Sequence, residues 1–178
     1  AETKSAFSFH RSMPSYEKTP LCRLRGLAEY LNIDTLWVKD ESKRFRLNSF
    51  KALGASYALG KWLQNKTGLK EQPTFDRMIW WFNNLEEEFT LVTATDGNHG
   101  CGVAWLARVC GCKARVFVPE GTVGARIANI EKQGAEVVQV DGHYERAVRV
   151  AQRESSGPDC LFLQDTTTEL EETIPEYV

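Results

Sequence analysis

Hydrophobic and polar positions change period along the chain, and the clearest stretch begins at Phe89. Four short apolar runs, Leu91–Ala94, Arg115–Val118, Val137–Val140 and Leu161–Leu163, predict β-strands. Between them Asn98–Cys110, Gly124–Gln133 and Tyr144–Glu154 carry a 3.6-residue period and predict helices, the second stopped by Gly134. Short apolar strands alternating with helices imply an α/β fold with an open parallel sheet and right-handed crossovers. Ligands of such sheets sit beyond the carboxyl ends of the strands, which selects the loops after Ala94, Val118, Val140 and Leu163.

The first half is less regular. Thr19-Pro20-Leu21 breaks the chain, and Leu24, Leu27, Ala28 and Leu31 then recur at helical spacing. Thr35–Val38 predicts a short strand, followed by a polar loop from Lys39 to Ser42. Ser49 is placed to cap a helix that starts near Phe50 and continues to about Leu63, with small residues along one side. Residues 64–89 read as irregular: Pro73 breaks them, Trp80, Trp81 and Phe82 form an aromatic knot, and Glu86–Glu88 read as a solvated face.

Composition narrows the class without naming it. With 42% hydrophobic and 26% charged residues over 178 positions, the chain has a globular mix. The net charge is -2 and the 22 basic residues are scattered, so neither a nucleic-acid stripe nor a polybasic membrane patch is expected. No apolar run approaches the roughly 18 residues of a membrane span, and AETKSAFSFH carries no apolar leader. Cys22, Cys101, Cys110, Cys112 and Cys160 lack zinc-finger spacing and read as free thiols of a cytoplasmic protein. His10, His99 and His143 lack metal-ligand spacing, so no metal is expected; His99 reads as a loop or core histidine rather than a general base.

Three places carry chemistry. Thr95-Asp96-Gly97-Asn98-His99-Gly100 lies after the first of the later strands and opens a helix, so backbone N–H groups face whatever binds there. It is neither a dinucleotide fingerprint nor a Walker A loop, and a plain Asx-capped turn is the competing explanation. Asp165 follows the last strand and shares that ligand edge with Asp96; a helix cap is its alternative role. Lys51 sits one turn inside its helix among Phe, Ala and Leu. Desolvation there would make the amine nucleophilic; a snorkelling surface lysine is the alternative.

Taken together, Lys39–Phe45, Leu47–Lys51, Ala94–Gly100 and Val103–Trp105, with Phe9–Ser12, Thr19–Leu21 and Gln164–Thr166, resemble the diaminopropionate ammonia-lyases in colinear order. These are pyridoxal 5'-phosphate enzymes of fold type II, the tryptophan synthase β-like class. The Asp of T-D-G-N-H-G stands where the serine and threonine dehydratases of that class usually carry Ser. The resemblance implies that Lys51 binds the cofactor through its amine, that Phe50 helps fix the ring, and that Asn98 bonds its phenolic oxygen. It further implies that Asp96 and Asp165 are two acid–base carboxylates, one for each face of the substrate, so that both D- and L-2,3-diaminopropionate react. A small amino-acid substrate, a homodimer and a cytoplasmic role in amino-acid catabolism follow from the same resemblance.

It implies a domain division as well: 1–89 as an incomplete part of the large cofactor domain, 90–165 as the small domain, and 166–178 as the start of the return. The family's glycine-rich phosphate cup lies in its C-terminal half, and here only Gly157 follows Gly142. The expectation is therefore a truncated and catalytically incomplete lyase. A dehydratase-like enzyme, or a non-catalytic homologue with a binding role, is the alternative. Arg46 stands where the family tends to have Gly, Cys101 where it usually has Arg, and 167–170 replace a Trp-Glu-Gly-Tyr-like stretch.

Overall fold

The computed structural model describes residues 2–166. Helix α1 (Glu2–Arg11) leads to strand β1 (Leu21–Arg23), helix α2 (Arg25–Tyr30) and strand β2 (Trp37–Lys39). Helices α3 (Lys51–Thr67) and α4 (Phe75–Asn83) follow. The remainder alternates: β3 (Thr90–Ala94), α5 (Asn98–Cys110), β4 (Lys113–Pro119), α6 (Gly124–Glu131), β5 (Glu136–Val140), α7 (Tyr144–Glu154) and β6 (Cys160–Phe162).

The four later strands form one parallel sheet in the order β5-β4-β3-β6, with Thr93 opposite Val116 and Val92 opposite Phe162. Both faces are covered, and side chains alternate across the sheet with the period of two that a strand imposes. Leu91, Val116 and Val118 pack with α3, α4 and α5 on one side. Val92, Ala94, Phe117 and Phe162 pack against Ala147, Val148 and Ala151 of α7 on the other. The α7 sequence explains its place: its buried residues recur at i, i+1 and i+4, Tyr144 and Val150 flank them half-buried, and the remaining positions are polar. Helix α5 is apolar nearly all round because it lies between the sheet and α3.

One contact fixes where α3 begins. A Cβ at Gly102 in α5 would lie 2.9 Å from the backbone nitrogen of Ala52 and 3.1 Å from the carbonyl carbon of Lys51. Only glycine lets the two helices approach this closely, and the approach sets the backbone of Lys51. Gly102→Ala is therefore expected to cost about 1–3 kcal/mol by overpacking. The check is thermal denaturation, where a midpoint unchanged from wild type would contradict the contact.

The irregular segment expected at 64–89 is a correction. Helix α3 runs on to Thr67 and ends at Gly68, whose φ of 67° suits a glycine cap. Pro73 precedes α4 instead of interrupting it, and Phe75, Met78 and Phe82 are buried at helical spacing. Three consecutive aromatics masked that period. Helix α1 was not expected either; it docks through Phe9, whose ring meets Tyr57 of α3 edge-on at 5.8 Å. The expected strand at 35–38 lies slightly later, at Trp37–Lys39, and pairs antiparallel with β1.

Around β1, α2 and β2 the chain shows apolar side chains to solvent, among them Leu21, Tyr30, Leu31 and Trp37. No helix among the described residues is long and apolar enough to cross a membrane.

Candidate active site

The carboxyl end of β3 turns into α5 through Thr95-Asp96-Gly97. The turn is held by Thr95, whose Oγ1 accepts from the backbone N–H groups of Gly97 (2.9 Å) and Gly100 (3.2 Å). Thr95, not Asp96, therefore takes the capping work, and the Asp96 carboxylate is left outward. Gly100 has a packing reason: a Cβ there would meet Thr95 Cγ2 at 2.4 Å and Val116 Cγ1 at 2.9 Å.

Lys51 reaches this edge from α3. The Ser49 hydroxyl accepts from the Lys51 backbone N–H at 3.2 Å, but the cap position itself falls one residue later than expected, on Phe50, which makes no side-chain cap bond. The Lys51 Nζ donates to Asp165 Oδ2 at 2.6 Å. The lysine side chain is 33% exposed and the aspartate 13%. The amine is thus no free surface group, and Asp165 holds a cation. A cleft of about 510 Å³ opens here, lined by Lys51, Asp96, Asn98, His99, Arg126, Tyr144 and Asp165 among others. Four of the five residues singled out from sequence therefore share one cleft. Phe50 does not line it; its ring is 57% exposed and lies 5.7 Å from the Lys51 Nζ.

The two carboxylates differ in setting. Asp165 lies under the cleft between Lys51 and His99, whose Nδ1 is 3.7 Å from Asp165 Oδ2. Asp96 is open to solvent and lies 3.7 Å from the Arg126 guanidinium, which also donates to the Asp96 backbone carbonyl at 2.8 Å.

Four further residues join the site. His99 is buried as a core histidine, with Nε2 2.9 Å from the carbonyl of Leu163. Burial pushes its pKa below the ordinary histidine value, against the opposing pull of the Asp165 charge and the Leu163 carbonyl. Gln164 is fully buried. Its Oε1 accepts from Thr93 Oγ1 (2.9 Å) and the Ala94 N–H (3.1 Å), while Nε2 donates to the Tyr144 hydroxyl at 2.6 Å. Gln164 thereby ties β3 to β6 and fixes Tyr144 at the rim. Burial foremost pushes the Tyr144 pKa up, and the charges of Asp165 and Asp96 add to it. Both carboxylates thus act on the space Tyr144 faces.

Arg126 was within reach of sequence reasoning, since it follows the strand-end loop after Val118. Nothing in spacing pointed to Tyr144. Gln164 carries no signal in the sequence beyond its place next to Asp165.

The departures from the family pattern are structurally distinct. Arg46 has a φ of 60° and its neighbour Phe45 one of 48°, so the position where Gly is usual does lie in left-handed backbone. Cys101 lines the cleft, half-buried. The stretch 167–170 lies outside the described residues, as does most of the segment expected to begin the return to the large domain.

An open parallel sheet with a lysine, two strand-end aspartates and an asparagine over one cleft defines a class. The family model "Pyridoxal-phosphate dependent enzyme" matches residues 13–175, and the chain belongs to that family. Within it, the chain is 41% identical to the diaminopropionate ammonia-lyase of Salmonella typhimurium, a match covering 96% of this chain and 43% of that one. It is 37% identical to the Escherichia coli K12 enzyme, over 100% of this chain and 44% of the other. The solved apo form of diaminopropionate ammonia lyase from Escherichia coli superposes with a TM-score of 0.87 at 37% identity, covering 99% of this chain and 48% of that one. Maize serine racemase shares the fold alone, with a TM-score of 0.65 and 18% identity over 93% of this chain and 44% of that one. The fold is type II, as expected, and the chain spans less than half the length of the ammonia-lyases it matches.

Proposed function

We propose that the chain is the N-terminal part of a pyridoxal-phosphate-dependent ammonia-lyase that acts on 2,3-diaminopropionate. One observation carries this: the Lys51 amine meets Asp165 at 2.6 Å in a cleft that Asp96 and Asn98 also line. A cleft of about 510 Å³ is the size of a small-molecule site. Its donor set, one primary amine, one amide and carboxylates, fits the aldehyde end of the cofactor. Lys51 would hold that end through its amine, and Asn98 would bond the phenolic oxygen. Phe50 sits beside the amine, outside the cleft as the described residues form it, and would help fix the ring only from there.

When bound, pyridoxal phosphate supplies the electron sink for the charge left on the substrate's α-carbon. The protein supplies the proton chemistry. Asp165 takes the α-proton of one stereoisomer and Asp96 that of the other, each from its own side of the cleft. Lys51 stands beside Asp165 to return a proton to the departing β-amino group. Overall, diaminopropionate and water give pyruvate and two ammonia molecules. A substrate with two amines is cationic, and two carboxylates complement it; this is a physical reason for Asp at position 96 where dehydratases carry Ser.

The proposal extends to the setting. Residues 1–89 form part of the large cofactor domain, 90–165 the small domain, and the chain from 166 onward returns to the large one. The five free cysteines suit a reducing cytoplasm. The enzyme works in amino-acid catabolism as a homodimer, the family's expected state. Pyruvate release tests the substrate. With the cofactor-loaded full-length protein of which this chain is the N-terminal part, D- and L-2,3-diaminopropionate are expected to yield pyruvate at least ~10-fold faster than serine or threonine. Faster release from serine or threonine would place the protein with the dehydratases instead.

A further inference from the structure

We infer that His99 is a positioning residue for Asp165, its Nδ1 lone pair receiving the hydrogen of Asp165 once that carboxylate has taken the substrate's α-proton. The inference rests on the proposed role of Asp165 and adds a residue to it.

The argument starts from the ring's tautomer. His99 Nε2 lies 2.9 Å from the Leu163 carbonyl, and a carbonyl oxygen only accepts. Nε2 therefore carries the hydrogen, and in the neutral ring Nδ1 presents a lone pair. That nitrogen is buried and has no hydrogen-bond partner among the described residues. An orphaned buried acceptor is costly and uncommon. What it faces is Asp165 Oδ2, 3.7 Å away. A carboxylate and a lone pair repel at that distance, whereas a carboxylic acid and a lone pair attract. The pair is thus poised for one added proton, and closing the gap to the usual hydrogen-bond reach of about 2.6–3.2 Å needs only a small movement.

The proton's path is short. The Cα–H bond of the substrate breaks, its electron pair stays with the substrate carbon, and the proton bonds to Asp165. The new O–H then points at His99 Nδ1, which gains a hydrogen bond and no proton. Burial lowers the pKa of the ring and the Lys51 charge adds to that, against the raising pull of Asp165 and the Leu163 carbonyl. The charged and titratable groups around the pair are Lys51 from α3, Tyr144 from α7 and Asp96 from the loop before α5. Among the described residues, only Lys51 shares Oδ2 with His99. His99 thus fixes which way the acid hydrogen points and holds the carboxyl group in the cleft between proton capture and return.

Two measurements on the cofactor-loaded full-length protein decide it. Nitrogen-15 NMR of the His99 ring is expected to show hydrogen on Nε2 and a bare Nδ1 between about pH 6 and 8, the range where an unperturbed ring titrates. Hydrogen on Nδ1 would overturn the inference. His99→Gln keeps an amide N–H for the Leu163 carbonyl and removes the nitrogen that faces Asp165. Turnover of the stereoisomer that Asp165→Asn impairs is expected to fall roughly 10–100-fold, as losing an outer partner of a reacting group typically does. The other isomer should stay within about 2-fold, with the cofactor's visible absorbance retained. A merely structural histidine would depress both isomers together, and that result, or no loss of either, would sink the assignment. If His99→Gln does not fold, the NMR result stands alone. If Asp165→Asn itself shows no isomer preference, the role proposed for Asp165 fails first and this one with it.

Discussion

In Lys51→Ala, the visible absorbance that pyridoxal phosphate acquires when joined to a lysine amine is expected to disappear, and turnover to fall by roughly 10²–10⁴-fold or more. The expectation follows from position. Lys51 has the one lysine amine among the described residues that line the cleft, and its backbone is set by the close approach of α5 at Gly102. Stability should change little by comparison. The lysine side chain is a third exposed and solvent screens the pair, so the loss is small beside that of turnover even though Asp165, 13% exposed, is left without its partner. Thermal denaturation thus serves as the control: a variant that folds normally yet stays colourless with added cofactor places the defect at the amine. Lys51→Arg sharpens the test, because it retains a cation for Asp165 but offers no amine of comparable nucleophilicity. A band of full intensity in either variant would mean that some other amine holds the cofactor.

How far the sequence anticipated this site depends on the kind of signal each residue carried. The helices at Asn98–Cys110 and Tyr144–Glu154 lie where the 3.6-residue period put them, because each buries a face against a sheet whose strands are themselves short apolar runs. The rule that ligands gather beyond strand ends then placed Asp96 and Asp165 at one edge without any pairing information. Lys51 was harder, since a lysine among apolar residues is usually a surface group; only the colinear motifs raised it above that. Other features were hidden for physical reasons. The α4 period was buried in three successive aromatics, of which Phe82 is core and Trp80 is 64% exposed. The capping role fell to Thr95 instead of its acidic neighbour, a choice local sequence leaves open because both side chains can accept from the same N–H groups. Tyr144 enters the cleft through its bond to Gln164, a contact between residues twenty apart that no local pattern encodes. His99 was legible as a core histidine but not as a neighbour of Asp165, which lies on a different strand end.

Asp165→Asn and Asp96→Asn are expected to split the two stereoisomers of diaminopropionate. Each variant should lose one isomer by roughly 10²–10⁴-fold, the usual contribution of a positioned base, and keep most of its rate on the other. The two positions make the losses unequal in kind. Asp165 lies under the cleft, bonded to Lys51 and facing His99, so an amide there also deprives the lysine of its partner. Its variant should hold the cofactor less tightly, seen as a weaker visible band at limiting cofactor. Asp96 is exposed and 3.7 Å from the Arg126 guanidinium, so Asp96→Asn should leave cofactor affinity unchanged and act on turnover alone. That asymmetry separates the two-base arrangement from its simplest rival, in which one carboxylate does all the proton transfer and the other only attracts a cationic substrate. Under the rival, Asp96→Asn would raise KM for both isomers by a similar factor and leave kcat alone, whereas the two-base arrangement requires kcat to fall for one isomer only. Salt adds a second criterion. Attraction by an exposed carboxylate weakens over a Debye length of about 8 Å at physiological ionic strength, so a KM effect would fade at high salt. Proton transfer at hydrogen-bond distance is not screened in that way, and a loss confined to one isomer should persist there.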